Sequence, residues 1–184
     1  MKNLCGIDEA GRGPIAGPLV MAGVILNEPI EGLTDSKQLS ETKREALYEK
    51  IVKKSTYHIV SFDAPTIDEK GISACLVNGL GAIMAALDCK EYIFDGNTAF
   101  GIPGLKSKIK ADLDIPQVSA ASILAKVTRD RIMVKMGKIY PLYGFEKHKG
   151  YGTRAHIEAI RRNGLSPIHR KSFKVKSLIQ PALF

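Results

Sequence analysis

Apolar and polar positions change their spacing several times along this chain, and each change marks an element. Leu4, Cys5 and Ile7 form a short apolar run that reads as a buried strand, broken by Gly11, Gly13 and Pro14. Gly17 to Leu26 is almost continuously apolar, the pattern of a strand covered on both faces. Ser40 can cap a helix that carries Leu47, Tyr48, Ile51 and Val52 on one side. Tyr57 to Phe62 reads as a third strand. Thr66-Ile67-Asp68-Glu69 has capping-box spacing and opens a helical region whose Cys75, Leu76, Leu80, Ile83, Met84 and Leu87 make a core stripe. Tyr92 to Asp95 is a short strand ending in an acid ahead of the turn Gly96-Asn97, and Lys106 to Ala111 suggests another strand ending at Asp112. Val118 begins a helix that continues to about Met136. Gly150-Tyr151-Gly152 is a turn, after which Thr153 caps a helix ending near Gly164. Strands come first and helices later, which predicts a mixed α/β domain spanning 1–184, its last part (about 137–184) a helical, basic region and tail.

Composition narrows the class. A chain of 184 residues buries a sizeable single core, and 45% hydrophobic with 25% charged residues is ordinary for a soluble globular protein. A net charge of +8 favours a polyanionic partner, either nucleic acid or an acidic membrane surface. Lys147, Lys149, Arg154, Arg161, Arg162, Arg170, Lys171, Lys174 and Lys176 concentrate that charge late, although such a run is commonly a solvated face. No apolar run reaches the roughly 18 residues a spanning helix needs, and no signal-peptide pattern opens the chain, so a cytoplasmic protein is expected. Cys5, Cys75 and Cys89 are odd in number and set in apolar sequence, which predicts reduced core residues and neither disulfides nor a zinc site.

The candidate chemistry lies in the acids. Asp8 and Glu9 close the first strand, Asp95 a later one and Asp112 another, and functional groups of open α/β sheets gather beyond the carboxyl ends of strands. Carboxylates brought together there repel, and hard oxygen ligands without His or Cys favour Mg2+ or Mn2+ as the neutralising cation. Adjacent strand residues point to opposite faces, so Asp8 and Glu9 share a site only if the strand bends. Arg12, between two glycines, leaves backbone N–H groups open to a close-approaching ligand. The bland alternative is a strand-to-turn junction with solvated acids.

Six segments in order resemble bacterial ribonuclease HII, a type 2 ribonuclease H: Gly6-Ile7-Asp8-Glu9-Ala10-Gly11-Arg12-Gly13-Pro14, Thr34-Asp35-Ser36-Lys37-Gln38-Leu39, Asp95-Gly96-Asn97, Lys110-Ala111-Asp112, the run from Val118 to Asp130, and His148-Lys149-Gly150-Tyr151-Gly152-Thr153. The resemblance implies a ribonuclease H-like fold, a five-stranded mixed sheet flanked by helices, with the late helical region forming a lid over the hybrid. It implies an endonuclease that hydrolyses the RNA strand of RNA–DNA hybrids and cuts 5′ of single ribonucleotides in duplex DNA, leaving a 5′-phosphate and a 3′-hydroxyl. Its role would be ribonucleotide removal during replication and repair. Asp8, Glu9, Asp95 and Asp112 carry over as catalytic metal ligands, holding two cations about 4 Å apart that clamp the scissile phosphate, activate water and stabilise the leaving oxygen. Gly11, Arg12 and Gly13 match the element that contacts the ribonucleotide 2′-hydroxyl, the group that separates RNA from DNA. Tyr151 matches the tyrosine that stacks near the sugar at the RNA–DNA junction. Lys37, Lys126 and Arg129 are expected on backbone phosphates, unless Lys126 and Arg129, three apart on one helix face, are simply solvated. Asp112 fits the family position better than Asp130, which reads as a structural partner of a nearby base. His148, His156 and His169 lack metal-ligand spacing and are expected at the surface or beside phosphates. The terminal Gln180-Pro181-Ala182-Leu183-Phe184 resembles peptides that dock on the DNA sliding clamp, against the alternative of an apolar tail packed on its own domain.

Ribonuclease HIII shares the acids, but Gly11-Arg12-Gly13 and the lack of a long N-terminal extension argue against it. A noncatalytic nucleic-acid binder is disfavoured because clustered acids gain nothing against a polyanion. A membrane-surface protein is weaker still, since no basic amphipathic helix carries a large aromatic face. A monomer is the expected state. If the basic residues bind phosphates, log kcat/KM on an RNA–DNA hybrid will fall linearly with log salt concentration; a flat response in a salt titration would remove the late basic region as a binding face.

Overall fold

A computed structural model describes residues 3–33 and 39–173. Lys37 and the Gln180–Phe184 peptide therefore lie outside the described residues. In chain order the elements are β1 (Leu4–Ala10), β2 (Leu19–Leu26), α1 (Glu41–Lys54), β3 (Ser55–Phe62), α2 (Ala64–Lys70), α3 (Ile72–Ala86), β4 (Glu91–Asp95), β5 (Leu105–Lys108), α4 (Ala111–Asp114), α5 (Pro116–Ile139), α6 (Phe145–His148) and α7 (Arg154–Asn163). They fall into two compact units, one of Met1–Ala10, Val20–Ser61 and Leu76–Thr128, the other of Gly11–Leu19, Phe62–Cys75 and Arg129–Phe184.

The first unit is built on a five-stranded sheet of order β3-β2-β1-β4-β5. β1 pairs antiparallel with β2 and parallel with β4, which pairs parallel with β5, so the sheet is mixed as expected. Every residue of β2 is buried, which explains its unbroken apolar run; it begins at Leu19 because Pro18 has no N–H for the ladder. Helices cover both faces. Ile83 and Leu87 fill the space over Gly23, the partner of Ile7, while the start of α5 lies over Gly6 on the other face. A Cβ at Gly6 would stand 2.3 Å from the backbone carbon of Gln117 and the backbone nitrogen of Val118, so only glycine admits that close approach. Cys5 and Cys75 are buried core residues, and burial pushes the Cys5 thiol up to about 12, well out of reactive range.

Local chemistry explains where elements start and stop. Ser40 caps α1 by accepting from the Lys43 N–H, as expected. Thr66 does not cap the next helix. Asp63 does, accepting from the Thr66 N–H at 2.9 Å with Pro65 in the first turn, and Gly71 at φ 81° divides the region into α2 and α3. The strand expected to end at Asp112 also needs correction. β5 stops at Lys108, Lys110 adopts left-handed φ 57°, and Asp112 sits in the one-turn helix α4.

The second unit has a small core of Ala16, Met133 and Phe145, packed by Met136, Tyr140, Tyr143 and Ile168. Thr153 caps α7 through the His156 N–H and Gly164 closes it, both as expected. α6 gave no sequence signal because one turn holds too few residues to show a period. No helix among the described residues is long and apolar enough to cross a membrane. Gly6→Ala is expected to lower the urea unfolding midpoint by the equivalent of about 3 kcal/mol, because rigid backbone must move. Gly13→Ala, where a Cβ would meet nothing within 4 Å, should stay within about 0.5 kcal/mol of the parent in the same titration.

Candidate active site

The parallel pairing of β1 with β4 aligns Ile7 with Phe94, so the next residues, Asp8 and Asp95, stand side by side where β4 ends. The left-handed turn at Lys110 brings in Asp112 from α4. Asp8, Asp95 and Asp112 each offer a carboxylate oxygen within 4.8 Å of the others, and Asp8 and Asp112 are buried. Glu9 is not in this trio. β1 continues in register with β2 through Ala10, and a Glu9 carboxylate oxygen, like one of Asp112, is buried. Glu9 still acts on Asp8: its N–H donates to Asp8 Oδ1 at 2.7 Å, and its charge repels the Asp8 carboxylate.

Burial raises the Asp8 pKa well above the usual carboxylate range, and the Glu9 charge raises it further. The Ser122 hydroxyl and the Glu9 N–H oppose this by hydrogen bonding, while Asp95 adds to the rise. Charge crowded in this way, among hard oxygen donors only, fits a divalent cation of the Mg2+ or Mn2+ kind.

In the second unit, the loop between β1 and β2 is gripped by two buried arginines. Arg129 donates from Nε to the Pro18 carbonyl at 2.9 Å and from Nη2 to the Ala16 carbonyl at 3.1 Å. Arg170 donates to the carbonyls of Gly17 at 2.9 Å, Arg12 at 3.2 Å and Gly11 at 2.6 Å. The phosphate contact expected of Arg129 does not suit a side chain only 1% exposed whose donors face its own loop. Burial and the nearby Arg129 charge pull Arg170 down to about 10, which leaves it charged at neutral pH. Gly11 is required by this packing, because at φ 95° a Cβ would meet Arg129 Nε at 2.1 Å and the Pro18 carbonyl oxygen at 2.5 Å. Gly13 has no such internal reason, and Arg12 is exposed. Tyr151 is 48% exposed, with its ring 5.9 Å from the Arg129 guanidinium carbon. Lys126 lies half-buried on α5 in the first unit. His156 and His169 are buried, against the expectation of a surface position, because they hydrogen-bond each other. Arg170 was missed as a site residue because the sequence shows it only as one more late basic residue.

A family profile described as Ribonuclease HII matches residues 5–176. The chain belongs to the ribonuclease HII family. It is a ribonuclease H endonuclease, of the class that acts on RNA–DNA hybrids. It is 61% identical over 183 residues to ribonuclease HII of Sulfurovum sp., covering 100% of this chain and 97% of that one. The corresponding protein of Aliarcobacter butzleri is 59% identical over 192 residues, with 100% of both chains covered. Among solved structures, ribonuclease HII in its PCNA complex from Archaeoglobus fulgidus superposes with a TM-score of 0.82 at 28% identity, over 95% of this chain and 96% of that one. Ribonuclease H2 of Pyrococcus horikoshii gives 0.75 at 29% identity, over 93% of each.

A raised Asp8 pKa means the folded, metal-free protein binds a proton more tightly than the unfolded chain, so this carboxylate weakens the fold at neutral pH and ceases to do so as pH falls through its folded pKa toward 3.8. Asp8→Asn should therefore be more stable than the parent in EDTA at pH 7, by about 1 kcal/mol, with the difference shrinking in acid. Urea midpoints measured across pH check this, and equal midpoints at pH 7 would show that the trio is not strained without metal.

Proposed function

We propose that this ribonuclease HII family member hydrolyses the RNA strand of RNA–DNA hybrids and also cuts 5′ of single ribonucleotides embedded in duplex DNA, leaving a 5′-phosphate and a 3′-hydroxyl. The observation that carries the reading is the convergence of Asp8, Asp95 and Asp112, a cluster of hard ligands from three separate elements. These three, with Glu9 beside Asp8, would hold Mg2+ or Mn2+. A bound divalent cation supplies polarisation of the phosphate and a lowered pKa for water. The Ser122 hydroxyl and the Glu9 N–H orient Asp8 and favour its ionised form, the form that binds metal.

The ribonucleotide is read by Gly11-Arg12-Gly13 and Tyr151. Gly13 supports this, since the open space at its Cα serves no packing purpose and suits a ligand's close approach. The exposed Tyr151 ring offers a face for a sugar. Arg129 and Arg170 hold the reading loop in shape, while Lys126 and Lys37 meet backbone phosphates. The Archaeoglobus fulgidus relative was solved in complex with PCNA, which supports a sliding clamp as the partner of the Gln180–Phe184 peptide.

The deciding experiment is magnesium-dependent cleavage of a DNA duplex carrying one ribonucleotide, beside an all-DNA duplex, with parent and Asp112→Asn. A single cut 5′ of the ribonucleotide is expected, with the variant slower by about 1000-fold or more. Tight binding without cutting, under either Mg2+ or Mn2+, would make the chain a binding module. Cutting that survives the substitution would return Asp130 as a ligand.

A further inference from the structure

The second unit contains a chain of buried hydrogen bonds that the proposed chemistry does not use. The Ser166 N–H donates to His169 Nδ1 at 2.8 Å, His169 Nε2 lies 3.0 Å from His156 Nε2, and His156 Nδ1 lies 2.8 Å from the Tyr151 carbonyl oxygen. A carbonyl can only accept, so the Tyr151 end directs the protons of neutral rings along the chain, and the Ser166 N–H at 2.8 Å agrees with that direction, although the Ser166 carbonyl also lies 3.3 Å from His169 Nδ1. His169 Nδ1 accepts, which puts its proton on Nε2. That proton is given to His156 Nε2, so the His156 proton is on Nδ1 and reaches Tyr151. The Ser166 hydroxyl, 2.7 Å from His169 Nδ1, can add a second donor at the same atom.

We infer that His156 is a positioning residue for Tyr151, aimed by His169 and Ser166 behind it, and that this chain sets how well the enzyme reads a ribonucleotide–deoxyribonucleotide junction. The inference rests on the proposed role of Tyr151. The surroundings agree with it. His156 stacks on His148 with ring centroids 4.2 Å apart and meets the edge of buried Phe145 at 5.4 Å, so it has no room to turn. His148 is itself tied on both sides, accepting from the Gly150 N–H at 3.2 Å and facing the Tyr143 carbonyl at 2.8 Å. Tyr151 is held further by its N–H to the His148 carbonyl at 3.0 Å and by the Thr153 N–H to its own carbonyl at 2.8 Å. The residue is thus anchored through its backbone while half its surface faces solvent. Burial also holds His156 at about 4, so at neutral pH it carries one proton and makes one directed donation.

Two measurements test this on the full-length enzyme. The 15N ring shifts of the parent should report the Nδ1–H tautomer for His156 and the Nε2–H tautomer for His169; the reverse assignment would overturn the inference. The second measurement is the ratio of kcat/KM on a one-ribonucleotide duplex to that on an RNA–DNA hybrid. His156→Asn keeps a donor near the position of Nδ1 and should preserve the ratio within about threefold, while His156→Phe should lower it about tenfold, the worth of one buried hydrogen bond. A general loss of stability would reduce both activities together and leave the ratio alone. Tyr151→Ala distinguishes the two ideas. A ratio moved by Tyr151→Ala and not by His156→Phe overturns the positioning alone. A ratio unmoved by Tyr151→Ala overturns the reading of Tyr151 and this inference with it. Should His156→Phe fail to fold, the tautomer measurement on the parent still decides.

Discussion

Three carboxylates are held close enough to share one cation, and two of them are buried, so each raises the cost of ionising its neighbours. The rest of the sheet unit is arranged around that repulsion. Parallel pairing of β1 with β4 sets Asp8 beside Asp95, and the left-handed residue at Lys110 turns the chain so that Asp112 arrives from a different element. Gly6 lets α5 lie against β1, which brings Ser122 within hydrogen-bond reach of Asp8. Packing and hydrogen bonds thus hold the acids in a geometry that their own charges oppose. That is the arrangement expected of a site completed by a cation.

A different kind of rigidity marks the second unit. Its loop from Gly11 to Pro18 has five carbonyls bound by Arg129 and Arg170, at a place where neither helix nor strand would hold them. Arginine suits the task because one planar fork serves several carbonyls and stays charged when buried, whereas lysine offers a single point of attachment. Arg129 also lies near the Tyr151 ring, and the histidine chain holds the Tyr151 backbone. Loop and tyrosine are each held from within the same unit, leaving Arg12, Gly13 and the Tyr151 ring exposed. Buried polar networks of this kind are costly when incomplete, so they bias the unit towards a single arrangement.

Much of this was legible in the residue pattern, for identifiable reasons. β2 was visible because burial on both faces leaves an unbroken apolar run, and α1 and α7 because Ser40 and Thr153 announce their caps. The clustered acids stood out because carboxylates next to turns, with no nearby His or Cys, narrow the chemistry by type alone. Misplaced elements were those decided by one residue's backbone angle. Lys110 gives no hint in its side chain that it is left-handed, so the sequence pattern carries β5 past Lys108 and leaves Asp112 at a strand end instead of in α4. Asp63 outcompeted Thr66 as a cap because Pro65 could serve in the first helical turn.

The sequence by itself determined the longer strands and helices and the family, because these depend on residue type and local spacing. Only the tertiary structure decided which acids converge and which basic residues are buried. Asp8 and Asp95 meet through strand register, a relation between positions far apart in the chain. Arg129 and Arg170 look like surface charge until the loop carbonyls they bind are folded against them. His156 and His169 look like scattered polar residues until α7 and the segment after it bring their rings together. Side-chain chemistry is written locally, but the partner that gives it a role is supplied by the fold.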